Sequence, residues 1–575
     1  MDNEEKLRES QEDLIAILHG RLKSDGPPPK SSPKSSPNSP LRLKSDGPPP
    51  KSPPAYLRPG PTQRGSLALG FMEAGIHQSP STLIASLLPS PLCQYIGGEA
   101  RESSGDDYFE VEDPSTGQIL HGRAPVGTTA DAHASLCTAA IVQPKWARMP
   151  ANVRGEALKA MATVIRDHVD ELATILASEQ NKVKALAEIE IRYAAEYFEF
   201  YAGSARLFQG EIVNSDSPNE NIYVHKIPLG VSVGICPWNF PVFMMARKIA
   251  PALVTGNCVV VKTSEEAPLA CSLLARLWSE SDIEAMPTKG TWSVLTGRGT
   301  TVGQALVASP LANIISFTGS VATGKAIMKS AANNMTKVSL ELGGKAPAIV
   351  CKDANLDLTV TAIVASRVLY SGQVCNSCER VYVHEDVAEE FIARVVDAMK
   401  AVKVGNPNDE DAPDCCGLIN STQRIKVHQM VHRAIGAGAK ILCGGNMVDG
   451  PGYKYEPTVL IGVKQDSEIV QEEIFGPVLP ILTFFTLDEA FSLANDSKFG
   501  LTSSIYTTNA DVVERSKAAL RFGETYVNRE NFEAIQGFHA GMRQSGIGGA
   551  DGIHGLEEYL ATHVVYQRYD ENAGN

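Results

Sequence analysis

Residues 231–262 read VSVGICPWNFPVFMMARKIAPALVTGNCVVVK, and this stretch decides the fold class. Short β-branched runs at Val231–Ile235 and Cys258–Lys262 enclose a helix-like stretch over Phe243–Leu253. Further short strands are predicted in the same rhythm, at Trp292–Leu295, Ile314–Thr318 and Val338–Leu342. Helix-like stretches separate them, at Ala267–Ser279, Thr301–Ala308 and Thr323–Asn333. Strand, helix and strand in this order predict a parallel, doubly wound α/β sheet with helices on both faces.

A second alternating series follows the first. Its predicted strands are Ala348–Cys351, Arg380–His384, Lys440–Cys443 and Leu479–Phe485, so two α/β units are expected to meet near residue 343. Before the first unit, apolar residues at three- and four-residue steps predict one helix over Arg154–Gln180. Ligands of doubly wound sheets bind outside the carboxyl ends of the strands, so the chemistry is expected in the loops that follow these strands.

Composition limits the class of protein. The 575 residues are 43% hydrophobic and 21% charged, which is ample material for large cores, and the net charge is −14. An acidic chain is poorly suited to nucleic acid or to anionic membranes, and no 18-residue apolar run exists to span a bilayer. Eleven cysteines, an odd and sparse count, fit reduced thiols better than a disulfide framework. No secretory or transit signal is recognisable, so we expect a cytoplasmic protein.

A basic, proline-rich arm precedes the acidic body. Residues 21–60 contain 12 of the 35 prolines and carry 8 basic against 2 acidic residues. Within the arm, the segment Arg21–Ser31 returns as Arg42–Ser52. We expect residues 1–91 to be a disordered extension with polyproline II character. It is either a docking site for a proline-reading domain, a phosphorylation tail, or a solvated extension without a partner.

Six motifs follow the predicted strands. They are Cys236–Pro241, Thr263–Glu265, Gly319–Gly324, Glu341–Lys345, Ser371–Cys375 and Glu472–Pro477. Taken together and in this order, they resemble the aldehyde dehydrogenase superfamily over about residues 92–568.

The resemblance implies an aldehyde dehydrogenase-like α/β fold with three parts. A Rossmann-type NAD-binding domain is expected from 92–209 and 229–342, and a catalytic domain from 343–545. A small strand element for oligomerisation is expected from 210–228 and 546–568, followed by a tail at 569–575. The resemblance also implies a homotetramer or a homodimer.

The cofactor is expected on the first unit. Gly319 and Gly324 bracket a strand-to-helix turn, which either admits a phosphate to the helix N-terminus or is a plain tight turn. The resemblance assigns Gly319 and Ser320 to the pyrophosphate. Lys262 and Glu265 suit the ribose hydroxyls, and a carboxylate there repels a 2′-phosphate, which favours NAD over NADP. The alternative for Glu265 is a helix N-cap.

Other cofactor residues come from the resemblance alone. It places Glu473, Phe475 and Trp238 near the nicotinamide half, the alternative for Glu473 and Phe475 being a surface acid and a core aromatic. Thr263 departs from the proline that commonly follows this lysine in the family, which weakens the preference for NAD.

The chemistry is assigned to three residues. By its position in the resemblance Cys375 is the nucleophile, and the Asn239 amide with the Cys375 N–H stabilises the oxyanion. Glu341 is the expected general base for thioester hydrolysis, the alternative being a carboxylate paired with a lysine. Cys375 and Cys378 form a C-x-x-C, but without a second pair we expect no metal, and a regulatory disulfide stays open.

The C-terminal runs 526–541 and 546–552 resemble the lactaldehyde/glycolaldehyde dehydrogenase branch. Arg247, Asn376, Glu533 and His539 match that branch, whose substrate pocket is polar and suits a small hydroxyaldehyde. The alternatives are an internal Arg247–Glu533 ion pair and a structural His539. For the protein as a whole, the alternatives are a semialdehyde or general aliphatic aldehyde dehydrogenase, or a scaffold protein that has lost catalysis.

Overall fold

The computed structural model describes residues 80–407, 409 and 412–569. The proline-rich arm with its repeat and its proposed docking role lies outside the described residues, as does the tail from residue 570.

The strands, numbered in chain order, are β1 Gln94–Ile96, β2 Glu99–Arg101, β3 Tyr108–Asp113, β4 Gln118–Pro125, β5 Glu211–Asn214, β6 Glu220–Pro228, β7 Val231–Ile235, β8 Cys258–Lys262, β9 Trp292–Leu295, β10 Ile314–Thr318, β11 Lys337–Glu341, β12 Ala346–Val350, β13 Cys378–His384, β14 Lys440–Cys443, β15 Thr458–Ile461, β16 Val478–Phe484, β17 Thr502–Tyr506, β18 Glu524–Val527, β19 Gly546–Ile547 and β20 Leu560–Arg568.

The helices are α1 Pro80–Leu87, α2 Thr129–Ala147, α3 Ala151–Asp167, α4 Val169–Gln180, α5 Lys184–Gly203, α6 Pro241–Val254, α7 Leu269–Glu280, α8 Gln304–Ala308, α9 Val321–Ala331, α10 Leu356–Val368, α11 Glu385–Ala401, α12 Ser421–Gly436, α13 Glu468–Gln471, α14 Leu487–Asn495, α15 Ala510–Ala519 and α16 Gly552–Glu557. A π-helical turn, Gly299–Gly303, leads into α8. Among the described residues, no helix has the length and apolarity needed to cross a membrane.

Two large sheets organise these elements. The first has the order β19-β11-β10-β7-β8-β9-β1-β2, and its five central strands are parallel. The second has the order β14-β15-β16-β13-β12-β17-β18 and is parallel except for β14. A separate antiparallel sheet, β20-β6-β5, and the hairpin β3-β4 complete the fold. The predicted pair of α/β units is confirmed.

The centre of the first sheet matches its prediction because its strands are short, β-branched and buried on both faces. Strands β7, β8, β9 and β10 have the predicted bounds, and every one of their residues is buried. The fifth strand, β11, begins one residue earlier than predicted. Such continuous apolar runs are typical of parallel sheets that are covered by helices.

Beyond shifts of one or two residues at the ends of strands and helices, three predicted boundaries are wrong. The single helix over Arg154–Gln180 is two helices, α3 and α4, because His168 leaves the helical conformation at φ −125° and ψ 29°. Residues 80–91 do not all belong to an extension, since α1 buries Ile84 and the segment after it buries Leu88 in the first core. The range 546–559 does not join the small sheet. Its strand β19 pairs with β11 of the first sheet.

Candidate active site

Four motif loops leave the first sheet at one edge. Thr318 at the end of β10 is in register with Glu341 at the end of β11, and Ile235 at the end of β7 is in register with Lys262 at the end of β8. Parallel pairing therefore brings together the loops that the sequence singled out, because the carboxyl ends of parallel strands share an edge.

A pocket opens beside these loops, with walls from both α/β units. It is lined by Leu186, Ile189, Glu190, Tyr193, Asn239, Phe240, Phe243, Met244, Thr318, Leu369, Val374, Cys375, Asn376, Phe532 and Glu533. Nine of these fifteen side chains are aliphatic, aromatic or thioether groups, so the pocket is less polar than the sequence led us to expect. The polar groups are few, and they include the predicted nucleophile.

Cys375 follows a turn with unusual backbone geometry. Tyr370, Ser371 and Gly372 have φ angles of 46°, 54° and 75°, a left-handed conformation that the two non-glycine residues adopt only when their surroundings impose it. The Tyr370 hydroxyl donates to the Gln180 carbonyl at 2.9 Å, and Ser371 Oγ donates to the Cys416 carbonyl at 2.6 Å. These bonds hold the turn that presents the cysteine.

The chain passes close behind Cys375 at Gly344. A Cβ atom on Gly344 would collide with the Cys375 carbonyl oxygen, so this position of the Glu341–Lys345 motif has to be glycine. Asn239 lies on the other side of the nucleophile turn, where its Nδ2 donates to the Gln373 carbonyl at 3.0 Å. The structure thus places the predicted oxyanion donor beside the predicted nucleophile.

Glu341 is buried and held by hydrogen bonds at the end of β11. Thr318 Oγ1 donates to its Oε2 at 3.0 Å, and Arg247 Nη1 lies 3.4 Å from the same oxygen. Burial alone would raise the pKa of Glu341, but Arg247 and Lys248 outweigh it and leave the pKa below its usual value. Glu341 is therefore charged at neutral pH, and its partner is an arginine rather than the lysine of the alternative hypothesis.

Arg247 is the hub of a buried charge network. Its Nε and Nη2 atoms contact the Asp551 carboxylate at 3.0 and 2.6 Å, and Nη2 lies 3.1 Å from Glu533 Oε1. Its side chain is 1% exposed and does not line the pocket. The internal Arg247–Glu533 pair of the alternative hypothesis exists, and the position of Arg247 does not support direct contact with a substrate.

Two other predicted substrate residues do reach the pocket. Asn376 Nδ2 donates to Glu533 Oε2, and both side chains line the wall next to Cys375. The Asn376 Oδ1 atom is buried and has no hydrogen-bond partner among the residues that the structure describes. A buried acceptor without a partner is unfavourable, so this atom suits a donor on a bound molecule.

His539 lies behind the pocket surface. Its Nδ1 is 3.1 Å from Glu524 Oε2, and its side chain is 1% exposed. Burial lowers the pKa of His539, but Glu524 and a side-chain contact with Cys375 outweigh this effect, so the pKa lies well above its usual value. His539 thus connects Glu524 to Cys375 behind the pocket. Cys378, by contrast, is fully buried, and burial raises the pKa of its thiol to about 12.

The two residues predicted to bind the adenosine ribose, Lys262 and Glu265, form an ion pair. Lys262 Nζ lies 3.2 Å from Glu265 Oε2, and the Glu265 side chain is 44% exposed at the edge of the sheet. Glu265 is not a helix N-cap, because α7 begins at Leu269 and the carboxylate of Glu179 accepts its first N–H groups. Ser320 does cap α9, accepting from Thr323 N.

The two glycines of this turn are also explained by packing. A Cβ on Gly319 would crowd the Phe317 ring, and one on Gly324 would crowd Leu342. Neither glycine has a positive φ. The structure therefore brings both to the turn, while the phosphate contact stays a prediction.

Three residues are predicted to lie near the nicotinamide half of the cofactor: Glu473, Phe475 and Trp238. Glu473 Oε1 accepts from Gly344 N at 2.8 Å, and burial together with nearby Glu379 raises the pKa of Glu473 to about 7. Phe475 and Trp238 meet edge to face with centroids 5.5 Å apart. Phe475, two residues after Glu473 in the chain, is thus in contact with Trp238.

Sequence reasoning missed Asp551, Glu524 and Thr318. Asp551 stands in the run 546–552 that drew attention for its resemblance, but no residue spacing pairs it with Arg247, about 300 positions earlier. Glu524 and Thr318 end or begin ordinary strands, and their roles appear only through their contacts with His539 and Glu341.

Two doubly wound sheets with a cysteine in the pocket between them define the class of protein, an α/β fold with a candidate nucleophile where its two units meet. Residues 100–565 match the sequence profile of the aldehyde dehydrogenase family. The lactaldehyde dehydrogenase of Escherichia coli (strain K12) is 48% identical over 472 residues, which are 82% of this chain and 98% of that protein. The 3,6-anhydro-α-L-galactose dehydrogenase of Vibrio sp. (strain EJY3) is 40% identical over 480 residues, 83% of this chain and 99% of that protein.

The fold agrees with these relatives. A crystal structure of lactaldehyde dehydrogenase from Escherichia coli superimposes with a TM-score of 0.81, covering 83% of this chain and 99% of that one. The chain belongs to the aldehyde dehydrogenase family, and it is an oxidoreductase that acts on aldehydes.

Removing the Asp551 charge tests the network. Because the Asp551→Asn amide can accept only one of the two hydrogen bonds on the Arg247 Nε–Nη2 edge, a buried donor loses its partner, and we expect the free energy of unfolding to fall by about 1–3 kcal/mol. Urea denaturation measures this loss. The matched control is Glu558→Gln, which breaks a partly exposed pair with Lys337 at 3.0 Å and is expected to cost at most about 1 kcal/mol. Equal losses in both variants would contradict the network.

Proposed function

We propose that this enzyme oxidises a small hydroxyaldehyde, such as lactaldehyde or glycolaldehyde, to its carboxylic acid with NAD. The observation that carries the proposal is the pocket wall, where Cys375 and Asn239 lie next to the hydrogen-bonded pair Asn376–Glu533. The reaction proceeds through a thiohemiacetal and then a thioester on Cys375.

The side chains divide the work between the two halves of the reaction. The Cys375 thiolate attacks the aldehyde carbon, and the Asn239 amide with the Cys375 backbone N–H donates to the developing oxyanion. Asn239 suits this task because an amide donates without carrying charge and without giving up its proton. Glu341, ionised at neutral pH, then takes a proton from the water that hydrolyses the thioester.

The residues at the sheet edge fit a nicotinamide dinucleotide. Lys262 and Glu265 would hold the adenosine ribose, the Ser320-capped end of α9 would face the pyrophosphate, and Glu473, Phe475 and Trp238 would hold the nicotinamide half. When bound, the dinucleotide supplies the hydride acceptor. The exposed Glu265 carboxylate repels a 2′-phosphate, which supports NAD over NADP.

The charges around the pocket favour a neutral substrate over a semialdehyde. The carboxylates of Glu341, Glu533 and Asp551 already contact Arg247, and Glu190, which also lines the pocket, is paired with Lys182. A substrate carboxylate would add a further negative charge to a site of low dielectric, where like charges repel strongly. Arg247 offers no free edge to such a group, because three of those carboxylates already contact it.

A small hydroxyaldehyde suits both the polar and the apolar side chains that line the pocket. Its hydroxyl would donate to Asn376 Oδ1 or Glu533, and a short alkyl group such as the methyl of lactaldehyde would meet the aromatic and aliphatic lining. A site with polar groups placed for a hydroxyl rejects analogues without it more strongly than a hydrophobic site discriminates by size.

The small sheet β20-β6-β5 supports assembly into a homodimer or homotetramer. It exposes large apolar side chains, among them Ile212 at 73% and Tyr566 at 67%. Exposed apolar patches of this kind mark protein interfaces. The scaffold alternative loses support because Cys375 and Asn239 line one pocket, and Glu341 is hydrogen-bonded to Thr318 in the wall of that pocket.

Replacing the proposed base tests the second half of the reaction. With Glu341→Gln, we expect a rapid burst of NADH followed by steady-state turnover about 10²- to 10⁴-fold slower, because the thioester forms but is not hydrolysed. Rapid-mixing absorbance measures both phases. Cys375→Ala is the control and should show no burst, whereas unimpaired steady-state turnover of Glu341→Gln would rule out the assignment.

An aldehyde panel tests the substrate class. Lactaldehyde should exceed propanal, which differs by one hydroxyl, by at least about 10-fold in kcat/KM, and succinate semialdehyde and hexanal should be slower than lactaldehyde. NADH formation at matched concentrations measures these ratios.

The variant Asn376→Ala should lower the lactaldehyde to propanal ratio severalfold, with propanal itself as the internal control. A preference for hexanal or succinate semialdehyde in the unaltered enzyme would contradict the proposal.

A further inference from the structure

A fully buried lysine, Lys182, is hydrogen-bonded to the backbone of Asn239. Lys182 follows α4, its side chain is 0% exposed, and its Nζ donates to Glu190 Oε2 at 2.5 Å and to the Asn239 backbone carbonyl at 2.7 Å. The rings of Phe240 and Tyr370 cover the same ammonium at 3.9 and 4.5 Å from their centroids. The chemistry described above makes no use of this lysine.

Glu190 fixes the chain on the other side of Asn239. Its second oxygen, Oε1, accepts from Val242 N at 3.0 Å and from Phe243 N at 3.3 Å, in the first turn of α6. Asn239 thus lies between two anchors of the same pair, with its own carbonyl bonded to Lys182 and the helix that follows bonded to Glu190. The Lys182–Glu190 pair thus fixes the position of the backbone on both sides of Asn239.

The same segment also supports the nucleophile turn. Gln180 donates through Nε2 to the Trp238 carbonyl, next to Asn239, and its own carbonyl accepts from the Tyr370 hydroxyl at 2.9 Å. Residues 180–182 are therefore in contact with the turn before Cys375 and with the residue before Asn239. Cys375 and Asn239 act on the same aldehyde carbonyl in the proposed reaction, and the segments that carry them are both hydrogen-bonded to residues 180–182.

We propose that Lys182, paired with Glu190, is a positioning residue that holds the Asn239 amide where the oxyanion develops. The inference rests on the proposed function, because it takes Asn239 as the oxyanion donor. A buried ion pair adds little net stability, so stability alone does not account for a fully desolvated lysine at this place. Oxyanion donors work only within a few tenths of an ångström of the right position, which the bond to the Asn239 carbonyl secures.

A double-mutant cycle between Lys182 and Asn239 tests the proposal. The variants are Asn239→Ala, Lys182→Met and both together, and the readout is the single-turnover rate of NADH formation with the best aldehyde of the panel. Asn239→Ala should lower the rate by about 10²- to 10³-fold. Lys182→Met should lower it by about 10- to 100-fold, and the combined variant should be no slower than Asn239→Ala within about 3-fold, because Lys182 acts only through Asn239.

Two further measurements separate positioning from damage. Alkylation of Cys375 by iodoacetamide needs no oxyanion donor, so its rate in Lys182→Met should stay within about 3-fold of the unaltered enzyme. Lys182→Met/Glu190→Gln removes the unpaired buried carboxylate and gives the same cycle if Lys182→Met alone does not fold. Lys337→Met, which breaks a partly exposed pair, is the control and should leave the single-turnover rate unchanged.

The outcomes distinguish the two proposals. If Asn239→Ala is as fast as the unaltered enzyme, the oxyanion role itself fails, and the role of Lys182 fails with it. If Asn239→Ala is slow but Lys182→Met is not, or if the two losses multiply, only the positioning role of Lys182 is overturned.

Discussion

A single buried guanidinium holds the site together. Arg247 has almost no contact with solvent, yet its charge is shared by Asp551, Glu533 and Glu341. Without this cation, burial would favour the neutral form of each carboxylate. With it, the pKa of Glu341 stays below its usual value, while burial still raises the pKa of Asp551 to about 6. One charge thus gives two neighbouring acids different strengths, and the more acidic of the two is the proposed base.

The position of Arg247 depends in turn on the sheet. It lies on α6, between the parallel strands β7 and β8, and Glu341 ends the parallel strand β11. Glu533 and Asp551 belong to the C-terminal segment, which follows the last strand of the second sheet along the chain. The network therefore forms only when both units and the returning chain are in place, which couples the chemistry of the pocket to the completed fold.

The sequence predicted the framework better than the wall of the pocket. Strands β7 to β10 were correct because buried parallel strands are continuous β-branched runs, a local signal. Cys375, Asn239 and Glu341 were singled out by the resemblance of the ordered motifs, and the structure brings Cys375 and Asn239 to the wall of one pocket. The break at His168 was missed because the apolar spacing continues through it, although the backbone leaves the helix there.

Contacts between distant segments left no such signal. Two such contacts are Arg247 with Asp551 and Lys182 with Asn239. The sequence separation within each pair does not predict the contact, because the two residues come together only in the folded chain. The mostly apolar lining of the pocket has the same origin, since α5, α6 and the segment around Phe532 each bring side chains that look like ordinary core residues in the sequence. Residue type and local pattern predict elements and motifs, whereas charge partners depend on the tertiary structure.

The covalent intermediate is the most direct test of the proposed role of Cys375. The Glu341→Gln enzyme is mixed with lactaldehyde and NAD, quenched in acid, digested and analysed by peptide mass spectrometry. We expect one lactoyl group on the peptide that contains Cys375, and none when Cys375→Ala is added. A lactoyl group on any other cysteine, or NADH formation without an acyl-enzyme, would contradict this role.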